Sequence, residues 1–216
     1  MPLSVMQKNF QKKLRLAESH LSAQCPALRD WIMNGGRCEL QPAWDREPFE
    51  SLIRAVAHQQ LHGKAAESIL GRMIAKFPDQ PFPTPIQLSR MRLASFRKCG
   101  FSLTKAEAIR GIARESDHGI VPTRKVANEM SDEALIETLT ELRGIGKWSV
   151  EMLLIFTMGR LDIMPVDDYG VRSGLMHLYS LSEVPKKAEF SKWTDSWSPY
   201  RTVGAWYLWR LADARK

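Results

Sequence analysis

Apolar residues recur along this chain at intervals of three and four, and strict alternation is scarce. That period predicts helices over roughly 5–22, 48–60, 64–77, 86–92, 104–116, 131–142, 148–158, 169–179, 186–193 and 200–213. Breaks fall at the proline-rich stretch Phe77-Pro78-Asp79-Gln80-Pro81-Phe82-Pro83-Thr84-Pro85, at Gly100, at Val121-Pro122 and at Pro199. The expected fold class is all-α. A length of 216 residues with 44% hydrophobic side chains fits one compact unit or two intimate lobes with a substantial core.

One pair of helices stands out. Ser131 suits an N-cap, and Asp132 and Glu133 suit the positive end of a helix dipole. Ala134, Leu135, Leu139 and Leu142 follow at helical spacing, then Gly144-Ile145-Gly146, then the apolar stripe Trp148, Met152, Ile155 and Phe156, which Gly159 ends. The glycines allow positive φ and close approach of the backbone, so amides at this turn suit phosphate without reading sequence. An ordinary αα-hairpin with a glycine turn has the same pattern. What favours chemistry is a carboxylate downstream: Asp168, in Pro165-Val166-Asp167-Asp168-Tyr169, lies twenty positions beyond Trp148.

The net charge of +7 and pI near 9.5 suit an anionic partner. The excess sits in the middle of the chain: residues 45–130 carry 14 basic and 9 acidic side chains, residues 131–216 carry 11 and 12. Arg90, Arg92, Arg97, Lys98, Lys105 and Arg110 meet only Glu107 in their span, a pattern that fits a DNA-backbone face and a solvated helical face equally. Cys25, Cys38 and Cys99 are too few and dispersed for a disulfide framework or an iron–sulfur loop, and the five histidines offer one i, i+4 pair, His58 and His62, short of the three protein ligands a catalytic zinc wants. There is no apolar run of 18 residues, so no membrane span is expected. Near the N-terminus, Met6, Phe10, Leu14, Leu16 and Leu21 among Lys8, Lys12, Lys13 and Arg15 resemble a transit peptide, but Glu18 favours a first packed helix.

The Leu142-x-Gly-Ile-Gly-x-Trp148 hairpin and the Pro-x-Asp-Asp168-Tyr segment resemble the helix-hairpin-helix DNA glycosylases, nearest to the alkylated-base branch, DNA-3-methyladenine glycosylase II, in a compact form without the N-terminal β domain. Two further segments carry the resemblance: Ile53 to Ala66, with Gln59-Gln60-Leu61-His62-Gly63-Lys64, and Trp197-Ser198-Pro199-Tyr200-Arg201-Thr202 through Ala205-Trp206-Tyr207-Leu208-Trp209. Together they cover about residues 45–210.

The resemblance implies one glycosylase unit, 1–216, with two helical lobes and a cleft between them: a central lobe at 52–164 holding the hairpin 131–158, and a second lobe from 1–51 plus 165–216. It implies duplex DNA with alkylated purines as substrate and an abasic site as product. Asp168 matches the catalytic acid, with Asp167 as a helix N-terminal carboxylate; counting from Pro-Val-Asp, as in the oxidised-guanine branch, would choose Asp167. Trp148, Trp209, Tyr169 and Trp206 match the aromatic pocket, and Trp31, Trp44, Trp193 and Trp197 are assigned to packing. Gly144, Ile145, Gly146, Lys147, Gln60, Leu61, His62 and Lys64 fall on DNA-contact segments, with His62 as first choice of wedge and Leu61 as the fallback. Trp148 occupies the place where bifunctional members carry a lysine nucleophile, so no lyase activity is expected. No cofactor is required; the resemblance implies a Na or K ion on the main-chain carbonyls of Thr140, Leu142 and Ile145. A monomer in the cytoplasm, or in the nucleus of a eukaryote, is expected. The competing readings are a non-catalytic helix-hairpin-helix DNA-binding module and a glycosylase for deaminated or mismatched bases.

Overall fold

The structure, a computed structural model, describes residues 3–61 and 63–214, and among them there is no β-strand. The helices are α1 (Leu3–Gln24), α2 (Pro26–Gly35), α3 (Pro48–His58), α4 (Gly63–Ile74), α5 (Pro85–Arg90), α6 (Leu93–Cys99), α7 (Leu103–Asp117), α8 (Arg124–Glu129), α9 (Asp132–Thr140), α10 (Lys147–Leu153), α11 (Tyr169–Leu178), α12 (Ser191–Thr194) and α13 (Arg201–Ala214). A π-helical turn, Leu154–Met158, continues α10, and 3₁₀ turns occupy Lys187–Glu189 and Asp195–Trp197.

The all-α expectation holds, with local departures. The run expected over 48–60 stops at His58, because Gln59 and Gln60 leave the helical region. Pro26 starts α2 after Cys25, where no helix was expected, and α6 is a short addition closed by Gly100 at φ 107°. The expected helix over 148–158 loosens into the π turn, whose Phe156 carbonyl accepts the Ala43 N–H at 2.8 Å. Gly159 ends this run at φ 69°; a Cβ there would stand 2.5 Å from the Trp44 ring.

The chain forms two compact units, residues 1–45 with 154–216 and residues 46–153. The sequence expectation set the breaks at 51/52 and 164/165.

In the discontinuous unit, α1 buries Phe10, Leu14, Ala17 and Leu21, whereas Leu16 is exposed. Glu18 is buried beside them. Its carboxylate takes the Arg15 guanidinium at 2.7 Å, the Cys38 N–H at 2.6 Å and the Tyr207 hydroxyl at 3.0 Å, which satisfies an otherwise costly buried charge. Burial, with the adjacent carboxylate, pushes the Cys38 thiol up to about 12, so it stays a protonated core group. Helices α11 and α13 touch backbone to backbone: a Cβ on Gly174 would fall 2.0 Å from the Leu208 carbonyl oxygen.

In the continuous unit, α3 buries Leu52, Ile53, Val56 and Ala57, α7 buries Ala106, Ile109, Ile112 and Ala113, and α9 buries Leu135 and Leu139. Side-chain caps fix several helix starts. Ser102 accepts the Lys105 N–H, Ser131 accepts the Ala134 N–H, and Thr84 forms a reciprocal box with Gln87.

Candidate active site and nucleic-acid interface

The predicted site residues fall into two groups, one in each unit. The first is the turn between α9 and α10. Leu142 and Ile145 bury their side chains and anchor it, and the Ile145 N–H closes it on the Leu142 carbonyl at 3.0 Å. Gly144 sits at φ 90°, with Ala108 only 3.1 Å from where a Cβ would be; this position needs glycine for its backbone. Gly146 has no positive φ, and a Cβ there would meet nothing within 4 Å. Its missing side chain keeps the approach to the main chain open. Gly144, Gly146, Lys147 and Trp148 are exposed; Lys147 lies 3.8 Å from the Glu151 carboxylate. The Thr140 hydroxyl donates back onto the Ile136 carbonyl at 2.7 Å.

The end of α3 is tied to this turn. The Gln59 side-chain amide donates to the Gly144 carbonyl at 2.9 Å. Gln60 and Leu61 follow, both on the surface, and Lys64 is exposed in the first turn of α4. His62 lies outside the described residues. Of the basic cluster, Arg90, Arg92, Arg97 and Lys98 are exposed and Arg110 is half-exposed, while Lys105 is turned inward onto α3, its Nζ donating to the Ala57 and Gln59 carbonyls.

The second group surrounds Asp168. The chain enters α11 at this residue, which caps it: Oδ1 accepts the Val171 N–H at 3.0 Å and the Trp209 indole N–H at 2.9 Å. Sequence reasoning gave the helix-terminal role to Asp167. The structure corrects this, because Asp167 stands one residue before the cap, with its carboxylate in an ion pair with Lys187. Asp168 is therefore both cap and candidate acid.

Trp209 comes from α13 and packs on Phe156, ring centroids 5.6 Å apart. Gly170 makes room: a Cβ there would lie 2.9 Å from Trp209 Cδ1 and 3.0 Å from Asp168 Oδ1. Tyr169 is 71% exposed beside the acid. Trp206 faces other partners, lying edge-on to Tyr207 at 5.0 Å with the Arg210 guanidinium 5.1 Å over its ring. The remaining tryptophans pack as expected: Trp197 is fully buried, Trp44 meets Phe10, Trp193 meets Tyr179, and Trp31 lies against Gly35.

Sequence reasoning missed Phe156 as Trp209's partner, Gly170 as the gap between ring and acid, and Gln59 and Lys105 as braces. Phe156 read as stripe and Lys105 as surface charge; only Gln59 lay in a segment already singled out.

Chemically, two donors on Oδ1 orient the Asp168 carboxyl group, while the turn offers open main chain of the kind that suits a phosphate. Comparison with known proteins places the chain among relatives. The chain is 45% identical over 174 residues to DNA-3-methyladenine glycosylase 1 of Schizosaccharomyces pombe, covering 79% of this chain and 76% of that one. It is 36% identical to the alkylbase DNA glycosidase-like protein mag2 of the same organism, covering 90% and 92%. Among solved structures, S. pombe 3-methyladenine DNA glycosylase in complex with abasic DNA superposes with TM-score 0.81 at 41% identity, covering 90% of this chain and 95% of that one. A DNA-3-methyladenine glycosidase from Bacillus halodurans gives 0.83 at 32% identity, covering 93% and 91%. The family model for HhH-GPD superfamily base excision DNA repair proteins matches residues 53–199, about two thirds of the sequence, and the chain belongs to that superfamily.

Proposed function

We propose that this protein is a monofunctional DNA glycosylase of the 3-methyladenine type, which binds duplex DNA, extrudes an alkylated purine and hydrolyses its N-glycosidic bond to leave an abasic site. The observation that carries the reading is the Asp168 carboxylate held by the Trp209 indole N–H and the Val171 amide. Alkylation gives the purine ring a positive charge, so the base departs with little protonation. What needs stabilising is the oxocarbenium-like sugar left behind. A fixed carboxylate does this electrostatically and helps water attack the sugar. One acid is sufficient, and a second carboxylate of glycosidase type is unnecessary.

The hairpin supplies the phosphate grip, and the relatives' names and the abasic-DNA complex of one of them support the substrate class. Trp209 would stack on the cationic base through its ring face, with Tyr169 exposed next to Asp168, and Leu61 or His62 would fill the vacated stack. The turn carbonyls would hold a monovalent cation that steadies the grip. A purely phosphate-gripping module would need Asp168 only as the cap of α11. Trp148 offers no amine for a Schiff base, so the strand stays intact. We place the protein as a monomer acting where the genome lies, in the cytoplasm or in the nucleus of a eukaryote.

The test is chromatography of bases released from methylated duplex DNA, with borohydride trapping alongside. Free methylated purine, alkali-labile strands and no covalent adduct are expected. Duplex binding with no release would make the protein a binding module, and efficient trapping would make it a lyase.

A further inference from the structure

The end of α3 carries a strain that gripping phosphate does not require. After His58 the chain turns through His58-Gln59-Gln60-Leu61, and the Leu61 N–H closes the turn on the His58 carbonyl at 3.2 Å. Gln59 has φ −52° and ψ 125°, and Gln60 has φ 55°. These are type II values, and the third position of such a turn favours glycine because φ must be positive. Gln60 is one of only two non-glycine residues with positive φ among those described. A type I turn would relieve it by flipping the central peptide and returning φ to negative values.

Lys105 opposes that flip. From the first turn of α7 its Nζ donates to the Ala57 carbonyl at 2.8 Å and the Gln59 carbonyl at 2.6 Å. The Gln59 carbonyl belongs to the peptide that would rotate. Flipping would swing it away from an ammonium that is half-buried and short of water, as the downward shift of the Lys105 pKa by desolvation reflects. The side chain of Gln59 is meanwhile held on the Gly144 carbonyl, so turn and hairpin keep a fixed relation. Beyond the strained residue comes Leu61, 41% exposed, a large apolar side chain left in water.

We infer that Lys105 is a positioning residue for base extrusion: it holds the 58–61 turn in its type II form and thereby aims Leu61 at the duplex that the hairpin grips. This rests on the reading of the protein as a DNA glycosylase that extrudes its target base.

The test is a double-mutant cycle, Lys105→Met in the natural chain and in a Gln60→Gly background. Its readout is the fluorescence of 2-aminopurine beside a tetrahydrofuran abasic analogue, which reports local unstacking. In the natural background, Lys105→Met should lower the unstacking equilibrium about tenfold, the scale of one unsupported left-handed residue, while melting temperature and affinity for undamaged duplex are kept. In the Gln60→Gly background the same change should cost less than about twofold, because glycine accepts the type II turn without help. Lys105→Arg, which keeps a charged donor, should restore part of the loss. Equal costs in both backgrounds, unchanged unstacking in Lys105→Met, or a matching loss on undamaged duplex would each overturn the proposal. The cycle supports it even where no base is released, an outcome that sinks the catalytic reading alone.

Discussion

Asp168 and the hairpin turn are built from different materials. Around the acid, side chains hold side chains: the Trp209 N–H on the carboxylate, Phe156 against the Trp209 ring, and a missing side chain at Gly170 that lets the two meet. At the turn, the proposed grip lies in main chain, with Gly144 in a conformation few residues accept and Gly146 leaving space. The difference teaches where each part is vulnerable. Isosteric substitutions that alter one polar atom should damage the acid group. The turn should ignore such changes and fail on added Cβ atoms.

The largest effect sharpens this contrast. Asp168→Asn keeps an acceptor for the Val171 and Trp209 N–H groups, so the helix cap survives while the negative charge is lost. We expect base release to fall about 10²–10⁴-fold with abasic-DNA binding retained or improved. Asp167→Asn loses only a surface pair with Lys187, worth ~0–1 kcal/mol, and should stay near the natural rate. Single-turnover kinetics on methylated DNA compare the two, and a near-normal Asp168→Asn rate breaks the assignment.

Trp209 gives the next effect and a revision. The stacking proposed above uses its π face on a cationic base, for about 0.5–2 kcal/mol. The structure gives its edge a task as well, since the indole N–H orients the acid. Trp209→Phe keeps a ring and loses the donor. Hydrogen bonds to charged groups contribute ~1.5–3 kcal/mol, so release should slow by about tenfold or more for every lesion alike. Comparing 3-methyladenine with hypoxanthine release in Trp209→Phe and Trp209→Leu separates the roles. A fall confined to 3-methyladenine, and to the Leu variant, would return the role to the ring face.

The smallest effects lie at the turn and distinguish its glycines. Gly144→Ala forces a Cβ into left-handed backbone and against Ala108, and should cost about 1–2 kcal/mol of stability, visible in thermal melts. Gly146→Val should leave melting unchanged and weaken damaged and undamaged duplexes alike. Its salt dependence should lose ~0.9 in log–log slope for each phosphate contact given up. A defect confined to damaged DNA would mean that the turn reads the lesion.

How much of this was legible in the sequence follows from the same contrast. The hairpin was readable because its determinants are local: an N-cap at Ser131, a 3.6-residue stripe, and glycines where the chain turns. Asp168 was singled out as candidate acid through its spacing from Trp148, yet its capping role was not readable, because one residue decides which carboxylate bends back onto the helix. The Trp209–Phe156–Gly170 cluster joins positions up to 53 apart, and nothing in local periodicity links them. Lys105 looked like surface charge because its inward direction depends on where α7 starts against α3.

The contact of α11 with α13 at Gly174 sets a limit on heritable variation. With 2.0 Å between a Cβ and the Leu208 carbonyl oxygen, every other residue type must push the two helices apart. Asp168 heads one of those helices and Trp209 sits on the other, directly after Leu208. Separating the backbones would stretch the 2.9 Å hydrogen bond between them. Lineages drifting under selection for repair therefore have one permitted letter at position 174, although its missing side chain reaches no substrate, and a cross-species survey should find that letter nearly as invariant as the acid itself.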